Sequence, residues 1–222
     1  MSTTLIIADD HPLFRTALKQ AVARILPDSQ VFEAEDMAAL EATVAAHPEA
    51  ELTLLDLNMP GAHGFSSLVF MRAQHPGVPV VVVSAAEAPE VVRRAQDFGA
   101  SGFIPKSASI DTIGTAIHQV LDGGVWFPEA NGDSAETDDA ELAERLTSLT
   151  PQQFRVLMMI ADGLLNKQIA YELHVSEATI KAHVTAILRK LGLYSRTQAA
   201  VIAERLQVYP SRVADDGTPA PG

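Results

Sequence analysis

Short apolar runs recur through the first half of the chain, at Thr4 to Ala8, Thr53 to Leu55, Val78 to Val83 and Gly102 to Ile104, with a weaker one around Gln30 to Phe32. Most are rich in β-branched residues, as expected of strands buried on both faces. Between them the period changes. Phe14, Ala17, Leu18, Ala21, Val22 and Ile25 repeat at three and four, and Leu68 to Met71 and Ile110 to Leu121 behave similarly, which is helical spacing. Gly99, after Asp97-Phe98, suits a helix stop. Five strands alternating with five helices predict an α/β fold with a parallel sheet. From Leu149 onward only helical signals remain. Thr150-Pro151-Gln152-Gln153 has the form of a capping box, with Leu149 and Phe154 at staple positions. That helix runs through Val156, Leu157 and Ile160 to Gly163. Asn166 to Leu173 and Ser176 to Leu191 follow, the last with Ser176 as N-cap and Glu177 in its first turn. A short helix, a tight turn and a longer helix predict a helix-turn-helix unit.

Composition adds a boundary. The 222 residues are 47% hydrophobic and 20% charged, ordinary for one or two folded domains. The net charge of −12 argues against an undivided basic nucleic-acid binder, but it is unevenly spread. Residues 1–125 carry seven basic and fifteen acidic side chains, and residues 126–149 one basic and seven acidic. Residues 150–209 reverse the sign, with seven basic against four acidic. The stretch Asn131 to Asp139 has little to bury and repels itself, the composition of an extended linker. The expected organisation is a domain over 1–125, an acidic linker over 126–148, a helical domain over 149–208 and a disordered tail over 209–222. No cysteine is present, so any metal site must use oxygen or imidazole. The start has no basic leader, and the longest apolar run is too short to span a bilayer, so a cytoplasmic protein without membrane attachment is expected.

In open α/β sheets, ligands bind beyond the carboxyl ends of the strands. Here those ends read Asp9-Asp10, Asp56, Ser84 and Lys106. Each alone has a bland explanation as a cap, a turn or a solvated charge. Four on one rim of one sheet do not. Three close carboxylates repel, so one is protonated or a cation sits among them, and a hard divalent ion such as Mg²⁺ suits the set. Ser84 and Lys106 supply a hydroxyl and a positive charge of the kind that phosphoryl oxygens require. A carboxylate can itself be the nucleophile. Asp56 is the natural choice because it stands alone on its strand, before the turn Leu57-Asn58-Met59-Pro60-Gly61.

These residues, in this order and spacing from about Thr4 to Asp122, resemble the receiver domain of two-component response regulators. The resemblance implies a flavodoxin-like five-stranded sheet of order 2-1-3-4-5, with Asp56 as phosphoacceptor from a histidine kinase. It implies an Mg²⁺ site of Asp10, Asp9 partly through water, Asp56 and the backbone carbonyl of Asn58. Ser84 and Lys106 match the phosphoryl-binding pair and Phe103 the aromatic switch. Two positions depart from the family pattern. Phe103 stands where many receivers carry Tyr, and Pro105 before Lys106 removes a backbone donor.

On the longest helix of the second half, Ile180, Val184, Ile187 and Leu191 form the core-facing stripe, while Lys181, Ala182, Thr185 and Arg189 occupy other faces. Short side chains flanked by cations can approach base edges while the cations meet phosphates. Leu149-Thr150-Pro151, Gly163, Asn166-Lys167, Ile169-Ala170, Leu173, Thr179-Ile180-Lys181, His183 and Lys190-Leu191-Gly192 through Arg196-Thr197-Gln198-Ala199 resemble the LuxR-type DNA-binding domain. The resemblance implies Lys181, Ala182 and Thr185 as base readers, Lys167, Arg189 and Lys190 as phosphate contacts, and the last helix, near Ser195 to Leu206, as a dimer surface. His183 lacks partners at metal spacing and is expected to pack or to meet phosphate. Leu165 departs from the usual Ser or Thr, so that helix loses its cap unless Asn166 supplies one.

Both motif sets on one chain are similar to a NarL/FixJ-type response regulator, not an enzyme in the ordinary sense. The resemblance implies promoter DNA, a histidine kinase and a homodimer when phosphorylated as partners, with RNA polymerase a further candidate. It also implies a receiver that masks the recognition helix until Asp56 is phosphorylated. Two other readings stay open at this point. A metal-dependent phosphohydrolase would want a second acid two residues after the nucleophile, where Asn58 stands. The other is a DNA-binding protein whose receiver only dimerises, independently of phosphate.

Overall fold

The computed structural model describes residues 2–128 and 138–208. The first domain alternates β1 (Thr4–Ala8), α1 (Pro12–Ile25), β2 (Gln30–Ala34), α2 (Met37–Ala46), β3 (Leu52–Leu55), α3 (Ser66–Gln74), β4 (Val80–Ser84), α4 (Pro89–Asp97), β5 (Gly102–Pro105) and α5 (Ile110–Leu121). Its strands form one parallel sheet of order β2-β1-β3-β4-β5. This is the expected α/β fold and order. Alternate side chains divide between two apolar layers. Leu5, Ile7, Leu54, Val81 and Val83 pack with α1 and α5, whereas Ile6, Leu55, Val80, Val82 and Phe103 pack on the other face. Pro105 is tolerated because β5 is at the sheet edge, where a missing donor costs little. Lys106 N–H still donates to the Ser84 carbonyl at 2.8 Å, so the strand end stays in register.

The second domain is wholly helical: α6 (Asp138–Thr147), α7 (Pro151–Ala161), α8 (Asn166–Glu172), α9 (Glu177–Leu191) and α10 (Arg196–Glu204). The capping box of α7 forms as expected, with Thr150 Oγ1 accepting from Gln153 N–H at 3.3 Å and Gln153 Oε1 accepting from Thr150 N–H at 3.2 Å. Ser176 caps α9, and Gly192 ends it in the left-handed conformation, φ 67°.

Two expectations change here. The acidic segment is not extended to its end, since its second half is α6, whose Leu142, Ala143 and Leu146 are buried. Asp138, Asp139 and Glu141 crowd the first turn, where the helix dipole favours negative charge. Positions 129–137 of the linker and the tail over 209–222 lie outside the described residues. At α8, Asn166 does not take over the missing cap. Its Oδ1 accepts from Arg196 at 2.8 Å, and Gln168 Oε1 reaches back to the Leu165 N–H at 2.7 Å, supplying half of a capping box. One apolar cluster runs from β4 and α3 through α6 into α7, α9 and α10. No helix among the described residues is long and apolar enough to cross a membrane.

Candidate phosphoryl site and DNA-reading surface

β1 delivers Asp9 and Asp10, and β3 delivers Asp56, because both strands end at the same level, Ala8 pairing with Leu55. Asp9 and Asp56 are 1% exposed. Two buried carboxylates so close need a cation, and Lys106 from the end of β5 provides it. Its Nζ donates to Asp56 Oδ2 at 2.7 Å and lies 2.7 Å from Asp9 Oδ2. Burial works against the ammonium, yet the hydrogen bonds and charges of Asp56 and Asp9 outweigh it and hold the Lys106 pKa above its ordinary value. The other Asp56 oxygen, Oδ1, accepts from Asn58 N–H at 3.2 Å, which brings the Asn58 backbone to the rim. Ser84, fully buried, ends β4 one position beyond Val83, and its Oγ accepts from Ala86 N–H at 3.1 Å. The expected rim residues therefore gather: Asp9, Asp56 and Lys106 in contact, Asp10 beside them, Asn58 on the loop after β3 and Ser84 at the end of β4.

The sequence reading passed over three neighbours. His11 Nδ1 lies 2.6 Å from Asp10 Oδ1 and 3.3 Å from Asp9 Oδ1. The Phe14 ring lies under the Lys106 ammonium, 4.7 Å from its centroid, a cation–π contact. Arg15 donates to the Asp9 carbonyl at 2.6 Å. His11 stands directly after the acidic pair and before a helix-starting proline, a signal that was available.

The rim has room for a second cation. Asp9, Asp10, His11 and Asp56 each offer a ligand atom within 4.8 Å of the others. Asp9 Oδ2 and Asp10 Oδ1 are buried and meet Lys106 Nζ and His11 Nδ1 as ion-pair contacts outside strict hydrogen-bond geometry, so their lone pairs are incompletely satisfied. Oxygen donors that outnumber their hydrogen bonds fit a hard divalent ion.

Phe103 is fully buried, in the same apolar layer as Phe65 and Phe98, so the aromatic already faces inward in this structure.

In the helical domain, Lys167, Lys181, Ala182, Thr185 and Arg189 are all exposed. Lys181 pairs with Glu177 one turn earlier at 3.1 Å, an exposed pair that a phosphate can displace at small cost. Lys190 is half-buried, and its Nζ donates to the Ser148 carbonyl at 2.7 Å and Gln153 Oε1 at 2.8 Å, tying the end of α9 to the turn before α7. His183 is half-buried on α9 and belongs to no metal-ligating cluster among the described residues. The expectation that the receiver masks α9 is not met, since the reading face is open.

Comparison with known proteins agrees with this division. Residues 5–118 match the response regulator receiver domain, and residues 147–203 match the bacterial regulatory proteins of the luxR family. The glycerol metabolism activator of Pseudomonas putida is 42% identical over 207 residues, 90% of this chain and 94% of its own. The nitrate/nitrite response regulator NarL of Escherichia coli K12 is 33% identical over 210 residues, 93% of this chain and 97% of its own. Among solved structures, the Salmonella typhimurium response regulator RcsB shares the fold at a TM-score of 0.54, with 23% identity over 90% of this chain and 98% of its own. The chain belongs to the NarL/FixJ-type response regulators. It is a transcription regulator made of a receiver and a LuxR-type DNA-binding domain.

Proposed function

We propose that Asp56 accepts a phosphoryl group from a histidine kinase and that this modification controls sequence-specific DNA binding as a dimer. One observation carries the reading: a lysine clamped between two buried carboxylates, on a rim where Asp9, Asp10 and Asp56 each bring a carboxylate oxygen within 4.8 Å of the others. Asp9, Asp10, Asp56 and the Asn58 carbonyl would hold Mg²⁺, which when bound supplies charge neutralisation for the phosphoryl oxygens. Asp56 attacks phosphorus as the phosphorus–nitrogen bond of the kinase's phosphohistidine breaks, and the departing imidazole takes up a proton. Lys106 is already within reach of Asp56 and would pair with one phosphoryl oxygen, while the Ser84 hydroxyl would donate to another. Phe14 supports the Lys106 ammonium from below. On the output side, Lys181, Ala182 and Thr185 would read base edges in the major groove, with Lys167 and Arg189 on phosphates. Promoter DNA is the partner this implies, in the cytoplasm.

Incubation with acetyl phosphate and Mg²⁺, followed by peptide mapping in a mass spectrometer, tests the chemistry. A phosphoryl group on the Asp56 peptide, absent without Mg²⁺ and absent in Asp56→Asn, is the expected result. Modification elsewhere, or equal modification of Asp56→Asn, would remove Asp56 from the role.

A further inference from the structure

The receiver grips the end of α10 and leaves the reading face of α9 uncovered. Arg94 of α4, 15% exposed, makes the grip. It donates Nη1–H to the Gln207 carbonyl at 2.9 Å, Nη2–H to the Arg205 carbonyl and Nε–H to Asp139 Oδ2 at 2.8 Å. Its guanidinium lies 4.9 Å from the Phe65 ring centroid and 5.7 Å from that of Phe98. Phe65 N–H donates to the Leu206 carbonyl at 2.7 Å. Asp139 Oδ1 in turn accepts from Arg205 at 2.7 Å. The three carbonyls lie at and just past the C-cap of α10, which ends at Glu204, so a cation and an N–H of the other domain hold the turn that follows the helix, near the negative end of its dipole.

Gly64 allows the approach. It sits at φ +57°, and an added Cβ would lie 2.6 Å from Val208 N and closer still to the Leu206 carbonyl oxygen. Both arms of the grip also lead back to the phosphoryl rim. Gly64 and Phe65 end the segment that starts at Asp56, and α4 opens after the loop that starts at Ser84. Phe65 stacks on Phe98 at 5.2 Å and joins the two arms. The same arrangement places His63 beside Thr197, Ala200, Val201 and Glu204 along one groove, so a second copy approaching the exposed Val201 of α10 would meet this receiver loop.

We propose that the receiver restrains the output domain by binding the backbone carbonyls of the turn that follows α10, which fixes the domain's placement while its reading face stays free. The inference rests on phosphorylation control as read above. Helix-turn-helix dimers need two reading helices about 34 to 36 Å apart. A domain held to its own receiver has to bring that receiver into the paired arrangement. Release therefore changes how two copies can be set on DNA, not whether one copy can touch a half-site.

The test uses the full chain, wild type, Arg94→Met and Asp139→Asn, with duplexes selected by the wild-type chain from a random pool and cut to one or two half-sites. Amide ¹⁵N relaxation should give one tumbling time for both domains of the wild type and two separate times for each variant. Without phosphodonor, both variants should bind the paired site about tenfold tighter than wild type and the single half-site within about twofold. A single tumbling time in both variants, or an equal gain on one and two half-sites, would overturn the proposal. Failure of the underlying reading looks different: the variants would still tighten on the paired site, but acetyl phosphate with Mg²⁺ would leave wild-type binding unchanged.

Discussion

Thr53 on β3 is fully buried, and its hydroxyl has no hydrogen-bond partner. Removing an unmatched buried hydroxyl at constant shape favours the folded state. Thr53→Val should therefore stabilise the chain by about 1 kcal/mol, measured by urea unfolding with an unchanged slope. Lys106 gives a pH signature. Its folded pKa is raised above the ordinary 10.5, so its stabilisation is complete below that value and is lost as pH climbs through the folded one. The stability gap between wild type and Lys106→Met, measured without Mg²⁺, should stay level from pH 7 to about 10 and close above it. Asp9, Asp10, Asp56 and Lys106 were legible in the sequence because strand ends of a parallel sheet must share a rim. Phe14 was not, since its reach depends on how α1 leaves β1. The inward bonds of Lys190 were not legible, because a lysine facing phosphate and one bonded inward look alike in sequence.

Helix α6 is the element the sequence concealed. Its acidic first turn resembled linker, although Leu142, Ala143 and Leu146 recur at helical spacing. Charge there reflects the dipole of a helix start and not an unfolded chain. Leu146 is fully buried in the cluster that joins the two domains. Leu146→Ala should cost about 3 kcal/mol, and calorimetry should show both domains affected; a loss confined to one domain would mean that α6 does not bridge them. The α7 capping box, by contrast, was readable residue by residue because a cap is a local device. Thr150→Ala should cost about 1 kcal/mol, checked by urea unfolding.

At the scale of the molecule, the chain sets an acidic receiver against the basic segment 150–209 that carries the reading helix. Which surfaces meet could not be read from the sequence. Arg94, Gly64 and Asp139 meet the end of α10 only once both domains are folded, and none of them carries a motif. The resemblance suggested a covered recognition helix, whereas Lys181, Ala182, Thr185 and Arg189 are exposed. Control through Asp56 remains the central claim, and DNA affinity at fixed salt addresses it most directly. Full-length wild type and Asp56→Asn would be titrated against a duplex selected from a random pool, with and without acetyl phosphate and Mg²⁺. The wild type should tighten by about tenfold on addition of phosphodonor while Asp56→Asn stays unmoved; an unchanged wild type, or an equal response in both, would contradict the account.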